Sequence, residues 1–122
     1  IRQPLYAVAA EGDHIAPWKQ VFRSAHHVGG ETRFVLSSSG HILGIVNPPV
    51  KPPKRRFWAA EVAPRDTAAD WRIRTESQPG SWWEDWMAWL KPRCGKLLAA
   101  RPAATEQHPA LAAAPGTYVL EK

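Results

Sequence analysis

The run Thr32–Ser37 limits the possible folds of this 122-residue chain more than any other segment, because its apolar residues are consecutive. Phe34, Val35 and Leu36 leave no polar position between them. A strand with one face in water alternates apolar and polar residues, whereas a strand covered on both faces, as in parallel sheets, does not. The run therefore predicts a buried strand of a parallel sheet.

A second apolar run, Leu5–Ala10, is also interpreted as a strand, and a helical pattern separates the two. Pro17 suits the first helical turn, and Gly29 with Gly30 ends the helix. Strand, helix and strand in this order predict one right-handed βαβ unit and the α/β fold class. The helical spacing is carried by Trp18, Val21, Phe22, Ala25 and Val28.

Two residues with acid–base chemistry follow the predicted strands, Asp13 after the first and His41 after the second. The carboxyl ends of parallel strands meet at one edge of a sheet, where open α/β sheets bind ligands. The small residues 37–40 allow a sharp turn there, which would bring the carboxylate within hydrogen-bond distance of the imidazole. A turn aspartate and an incidental loop histidine fit the same pattern, so the spacing leaves both interpretations open.

The remaining histidines and the single cysteine do not form a second candidate site. His26 and His27 end the predicted helix, and no further ligand stands at helical spacing, so we expect no metal site. Cys94 follows Pro92 and lies in no strand–turn–helix elbow, which argues against a nucleophile. A lone cysteine forms no intramolecular disulfide, in agreement with a reducing, cytosolic compartment.

Much of the formal net charge of +5 lies in a loop of lysine, arginine and proline. Because no helix-turn-helix, RNA-recognition or zinc-finger pattern accompanies it, we expect a solvated loop and no nucleic-acid partner, and the unspecific attraction of an anionic ligand is the alternative. No apolar stretch approaches the roughly 20 residues that span a bilayer, and no leader is visible. The loop cations are Lys51, Lys54, Arg55 and Arg56.

Beyond this loop the pattern predicts two helices and a tail. Asp66 or Thr67 would cap the first helix, and a capping box of Ser81 and Glu84 opens the second, Trp82–Leu90. The tryptophan stripe of the second helix either packs on the domain or offers an apolar surface to a partner, a second subunit or a hydrophobic phase. We place the domain at residues 1–98 and an Ala/Pro-rich tail at 99–122.

Four segments in this order resemble the C-terminal part of the class I polyhydroxyalkanoate synthases. They are AEGDHIAPW, RFVLSSSGHILGIVNPP, GSWWEDWMAWL and APGTYV. The resemblance implies an α/β-hydrolase-type fold, here with an incomplete sheet, and an acyltransferase that polymerises (R)-3-hydroxyacyl-CoA with release of CoA. A chain that opens directly before a strand agrees with a fragment of a longer enzyme.

The resemblance also assigns residues of a Cys-Asp-His triad. Asp13 in Gly-Asp-His-Ile corresponds to the acid and His41 in Ser-Gly-His-Ile to the histidine, while His14 would support the pair. The Gly-x-Cys-x-Gly elbow that carries the nucleophile is absent, and Cys94 lies in the wrong motif, so we expect this chain alone to be inactive.

The family further implies partners and a location. These are (R)-3-hydroxyacyl-CoA, the growing polyester, the polymer granule surface in the cytoplasm, and a second copy in a homodimer. No cofactor is expected, since the substrate carries coenzyme A. Two alternatives remain: a fragment of another α/β-hydrolase, such as a depolymerase or esterase, and a non-catalytic granule-binding module.

Overall fold

A computed structural model describes residues 1–121, which form an α/β fold around one open, four-stranded mixed sheet of order β1-β2-β3-β4. The strands are β1 (Leu5–Ala10), β2 (Thr32–Ser37), β3 (Arg56–Glu61) and β4 (Ser77–Pro79). The helices are α1 (Trp18–Ser24), α2 (His41–Val46), α3 (Ala68–Arg74) and α4 (Trp82–Leu90), with 3₁₀ turns at Ala25–His27, Lys91–Arg93 and Tyr118–Leu120. The α/β class predicted from the sequence is confirmed.

The first two strands pair in parallel, as predicted from their apolar runs. Leu5 lies opposite Thr32 and Ala10 opposite Ser37, and α1 connects the strands. Pro17 stands at the N-terminal boundary of α1, where a missing N–H removes no helical hydrogen bond. The carboxyl ends of β1 and β2 therefore lie side by side, which brings the segments after Ala10 and Ser37 to one edge of the sheet.

One face of the sheet packs against α1 and α3 through an aromatic cluster. Phe34 of β2 meets Phe22 and Trp71 edge to face, with ring centroids 5.0 Å apart in each pair. Such pairs contribute about 0.5–1.5 kcal/mol beyond their buried area. Trp58 of β3 and Leu36 complete this cluster, and all five side chains are buried. Strand β2 is thus anchored to the helices through Phe34 and Leu36, whereas Val35 points to the other face of the sheet.

The opposite face of the sheet holds α4 through a polar contact. Arg33 donates from Nε to Asp85 Oδ2 over 2.8 Å, and the Tyr6 hydroxyl donates to the same oxygen over 2.7 Å. Although burial opposes it, these hydrogen bonds lower the pKa of Asp85. Tyr6 also lies against Trp89, with centroids 5.3 Å apart. The tryptophan-rich helix, predicted at Trp82–Leu90, is therefore tied to β1 and β2.

The prediction that only helices follow the lysine- and proline-rich loop is wrong, because β3 and β4 extend the sheet there in antiparallel pairing. Ala59 and Ala60 favour helix, so the local pattern hid β3. Its strand conformation is explained by packing, since Trp58 opposes Leu36 and joins the aromatic cluster. Strand β4 has three exposed residues and includes Pro79, which an edge strand tolerates.

Caps and termini agree in part with the sequence patterns. Thr67 caps α3, as predicted, and forms a reciprocal capping box with Asp70. The Ser81 hydroxyl accepts from the Trp83 amide, so it caps α4 without the hydrogen bonds expected for a box with Glu84. In the described part of the tail, the only regular element is the turn Tyr118–Leu120. Within residues 1–121, no helix has both the length and the hydropathy to cross a membrane.

Candidate active site

Asp13 lies just beyond the carboxyl end of β1, and its carboxylate is fully engaged. Oδ1 accepts hydrogen bonds from the amides of Ile15 and Ala16 over 2.8 and 2.9 Å, and Oδ2 lies 2.8 Å from Nδ1 of His41. The Ala16 amide, and next the His41 ring, lower the pKa of Asp13 to about 2. The carboxylate is therefore ionised at neutral pH.

His41 is the first residue of α2 and presents its imidazole to this carboxylate. Because an ionised carboxylate only accepts hydrogen bonds, the geometry assigns the ring proton to Nδ1 and leaves a lone pair on Nε2. The Asp13 side chain is 5% exposed and that of His41 45% exposed. Nε2 has no hydrogen-bond partner within the described residues, so the arrangement can accept a proton from a group approaching the open side.

The two loops that carry the pair are joined through their backbones. The Gly12 amide donates to the Ser39 carbonyl over 2.9 Å, and the Glu11 amide donates to Ser37 over 2.8 Å. Ser39 has a φ of 92°, a conformation that costs a non-glycine residue about 1–3 kcal/mol. A Cβ at Gly12 would lie 3.2 Å from the Ser39 carbonyl oxygen, so these loops fit closely.

Helix α2, which the sequence patterns did not predict, is held at its middle and at its end. A Cβ at Gly44 would lie 2.5 Å from Cβ of Ala10, so glycine allows α2 to rest directly on β1. Asn47 is buried and has a left-handed backbone conformation. Its side-chain Nδ2 donates to Ser37 Oγ and to the Gly80 carbonyl over 3.2 and 3.3 Å. The orientation of His41 therefore depends on two residues that the sequence analysis missed.

Sequence signals for these two residues do exist. Gly44 interrupts an otherwise apolar run, which is typical of a close approach between backbones. Asn47 follows that run and precedes Pro48, and asparagine tolerates the left-handed region better than most residues. Neither signal identifies which element lies opposite.

The loop that carries Asp13 also contacts α3 through Arg72, whose guanidinium stacks on a tryptophan ring. Arg72 lies over the Trp58 ring, with its guanidinium carbon 3.6 Å from the ring centroid. It donates to Glu11 over 3.1 Å, two residues before Asp13. Through Arg72, the buried Trp58 is therefore linked to the loop that carries Asp13.

The other candidate residues form no hydrogen bond with this pair within residues 1–121. His14 is exposed, and no hydrogen bond within residues 1–121 involves its side chain. His26 Nε2 lies 3.0 Å from the Asp66 carbonyl oxygen, while His27 is exposed. Cys94 is exposed after the final turn of α4, where its amide donates to Leu90. Across the described chain, no group of three or more potential metal ligands is found.

Exposed apolar side chains follow His41 along α2. Ile42 and Leu43, the next residues of α2, are 68% and 57% exposed. The Trp82 indole donates to the Ile45 carbonyl over 3.0 Å, so the start of α4 lies beside α2. Trp83 and Trp86 extend this exposed apolar surface.

No family model matches this chain, whereas curated proteins match it from end to end. It is 40% identical over 122 residues to the poly(3-hydroxyalkanoate) polymerase subunit PhaC of Rhizobium etli. It is 42% identical over 123 residues to poly(3-hydroxyalkanoate) polymerase 1 of Ectopseudomonas oleovorans, and 39% identical over 121 residues to the PhaC subunit of Cupriavidus necator.

These alignments cover 98–100% of this chain but only 19–22% of the relatives. The chain thus spans about a fifth of the length of the curated proteins it matches. The resemblance drawn from its four segments is confirmed at the level of the polymerase family. The chain is homologous, along its whole length, to a segment of the poly(3-hydroxyalkanoate) polymerases.

Proposed function

We propose that this chain supplies the acid and the histidine of the catalytic triad of a poly(3-hydroxyalkanoate) polymerase. The observation that carries the proposal is the 2.8 Å contact between Asp13 Oδ2 and His41 Nδ1, at the shared edge of two parallel strands. The relatives named poly(3-hydroxyalkanoate) polymerase supply the reaction class. In this proposal the nucleophilic cysteine lies in the remainder of the parent protein, outside these 122 residues.

In the first step, His41 Nε2 accepts the proton of that cysteine. The thiolate attacks the carbonyl carbon of (R)-3-hydroxyacyl-CoA, the thioester bond to CoA breaks, and the imidazolium returns the proton to the departing CoA sulfur. Asp13, ionised because of its lowered pKa, holds the Nδ1 tautomer and stabilises the imidazolium.

In the second step, the 3-hydroxyl of another unit attacks the carbonyl carbon of the acyl-enzyme, the thioester bond to the cysteine breaks, and the released thiolate recovers a proton while the polyester grows by one ester bond. That hydroxyl must lose a proton, and two groups are available to take it. Either His41 accepts it while Asp13 orients the ring, or Asp13 itself activates the hydroxyl. The enclosed carboxylate, with all its near contacts already made, favours the orienting role.

The wider assignment follows from the same proposal. The open sheet, with its parallel pair and a carboxylate at the strand ends, is compatible with part of an α/β-hydrolase-type fold. The proposed enzyme is a class I synthase that works in the cytoplasm at polymer granules, as a homodimer and without a bound cofactor. His14 would support the pair from the solvent side, since it adjoins Asp13 in an exposed position.

Two alternatives use the same elements. An esterase or depolymerase would use the same pair with a serine, so an upstream Gly-x-Ser-x-Gly would favour hydrolysis and Gly-x-Cys-x-Gly the polymerase. A granule-binding module would use the exposed apolar surface of α2 and α4. It would bind polyester granules as this chain alone, with little dependence on the Asp13–His41 pair.

The decisive experiment places His41→Ala in the full-length protein that carries this segment. We expect CoA release from (R)-3-hydroxybutyryl-CoA, followed by a thiol-reactive dye, to fall by at least about 10³-fold, because the general base is lost. His27→Ala is the matched control, since His27 is exposed and is the last residue of the 3₁₀ turn that follows α1. Near-normal turnover by the His41 variant would remove this residue from the mechanism.

A further inference from the structure

The cations of the lysine- and proline-rich loop are not neutralised by neighbouring carboxylates. None of the ion pairs formed within residues 1–121 involves Lys51, Lys54, Arg55 or Arg56. Other cations of the chain, such as Arg33 and Arg74, pair with aspartates. The loop therefore carries a local positive potential that is available to an anion.

The sheet places this charge at the edge where Asp13 and His41 lie. Phe57, the second residue of β3, opposes Ser37, the last residue of β2. The Ser38 amide donates to the Arg56 carbonyl over 2.9 Å, and the Arg56 amide donates to Ser38 Oγ over 3.1 Å. Since neighbouring strands lie about 4.8 Å apart, the start of β3 is one strand from the segment that leads to His41.

A cavity of about 420 Å³ opens between this strand end and the loop. No acidic residue lines it, whereas two arginines, one lysine and two serines do, and the side chains of these residue types carry the donors that bind phosphate oxygens. The backbone of one lining residue is held in place, because the Gly80 amide donates to the Arg55 carbonyl over 2.8 Å. The lining residues are Ser38, Pro53, Lys54, Arg55, Arg56, Ser77 and Pro79.

We propose that this cavity binds the phosphate groups of the coenzyme A portion of the substrate. The inference rests on the proposed function, in which an acyl-CoA thioester reacts beside His41. Coenzyme A carries its phosphates at the end remote from the thioester, so a site beside the triad, and not within it, fits the molecule. Binding energy gained at the phosphates would hold the thioester in place for attack.

The shape of the site favours this ligand over a nucleic acid. Three cationic residues line one concavity together with two prolines, whereas a nucleic-acid backbone requires positive charge along an extended surface. At the opposite edge of the sheet, the exposed cations Arg2 and Arg65 stand apart from this cavity.

The test compares two substrates of the full-length protein that carries this segment. Lys54→Ala combined with Arg55→Ala should raise the KM for (R)-3-hydroxybutyryl-CoA by about tenfold or more, with kcat within about twofold. The same variant should process (R)-3-hydroxybutyryl-pantetheine, which lacks the phosphates, with unchanged kcat/KM. Arg2→Ala combined with Arg65→Ala is the matched control and should leave both substrates unaffected.

Each outcome separates this inference from the proposed function. A wild-type protein that releases no thiol from either substrate would overturn the proposed function and this inference with it. An active wild type, combined with a variant that loses equally on both thioesters or on neither, would overturn the phosphate site alone. Lys54→Glu, a single change in an exposed loop, gives a second reading if the double variant folds poorly, with the same selective rise in KM expected.

Discussion

At the level of single residues, the state of Asp13 decides what the His41 ring can do. Two backbone amides and one imidazole surround the carboxylate, and together they favour its charged form. A neutral side chain of the same shape would keep some hydrogen bonds but could hold the wrong tautomer of the ring. In the proposed mechanism, the aspartate therefore acts by orienting the imidazole.

Asp13→Asn should therefore lower kcat for CoA release by about 10³–10⁴-fold in the full-length protein, with a smaller change in KM. The measurement is steady-state CoA release at neutral pH, with His27→Ala as a control for general effects of substitution. A kcat reduced less than about tenfold would contradict an orienting role for the carboxylate.

The same substitution has a defined pH dependence of stability. The pKa of Asp13 is lowered to about 2, from about 3.9 in an unfolded chain. The carboxylate therefore stabilises the fold fully above about pH 4, and this contribution is lost as the pH falls towards 2. Urea unfolding should show that wild type is more stable than Asp13→Asn above pH 4, and this difference should narrow as the pH falls from 4 towards 2.

How far the sequence predicts this site depends on the kind of contact. The apolar side chains identify both parallel strands in the sequence. Asp13 and His41 follow these strands directly, so both residues are expected at the same edge of the sheet. The link between Gly12 and Ser39, and the left-handed Asn47, are set by backbone geometry. Such contacts depend on how loops from distant segments meet, and a local sequence pattern does not predict this.

At the level of elements, the short helix α2 positions His41, which is its first residue. Its middle rests on β1 at Gly44 and its end is fixed at Asn47, while its first residue reaches Asp13. Strands β1 and β2 and helices α1, α3 and α4 followed from apolar periodicity and caps. Helix α2 did not, because four of its apolar side chains are exposed and it shows no buried stripe.

Gly44→Ala should displace α2 relative to β1. The new methyl group would lie 2.5 Å from Cβ of Ala10, so α2 must move away from β1. We expect a loss of about 1–3 kcal/mol in unfolding free energy and, from a displacement of about 1 Å at His41, a fall in kcat of about 10²-fold.

Gly40→Ala is the matched control for the helix substitution. It introduces the same methyl group four residues earlier, where the nearest atom is 3.7 Å away and the φ of −88° suits alanine. Circular dichroism with urea unfolding and CoA release should separate the two variants. Equal kcat values would show that α2 does not position His41 through its contact with β1.

The contact between Asp85 and the sheet gives a second prediction for an element. Asp85→Asn should cost about 1–3 kcal/mol, because Arg33 loses the nearer of its two charged partners in a half-buried position and keeps only Glu61. Glu84→Gln, one residue earlier and exposed, is the control and should change stability by less than about 0.5 kcal/mol. Equal effects in urea unfolding would show that the Arg33 contact does not anchor α4.

At the level of the whole molecule, the sheet is open along β1. Within the described residues β1 pairs only with β2, although its residues lie half-buried or buried. An unpaired edge of this kind binds further strands or causes aggregation. Because the relatives are about five times longer, we expect the sheet of the parent protein to continue beyond β1.

Hydrogen exchange tests this continuation. The amides of Leu5 and Glu11 donate towards β2, so by backbone alternation those of Tyr6 and Val8 point to the open edge. We expect Tyr6 and Val8 to exchange rapidly in this chain alone and slowly in the full-length protein. Val35 in the central strand should be protected in both forms, as an internal control. Equal exchange of Tyr6 and Val8 in the two proteins would mean that no further strand pairs with β1 in the full-length protein.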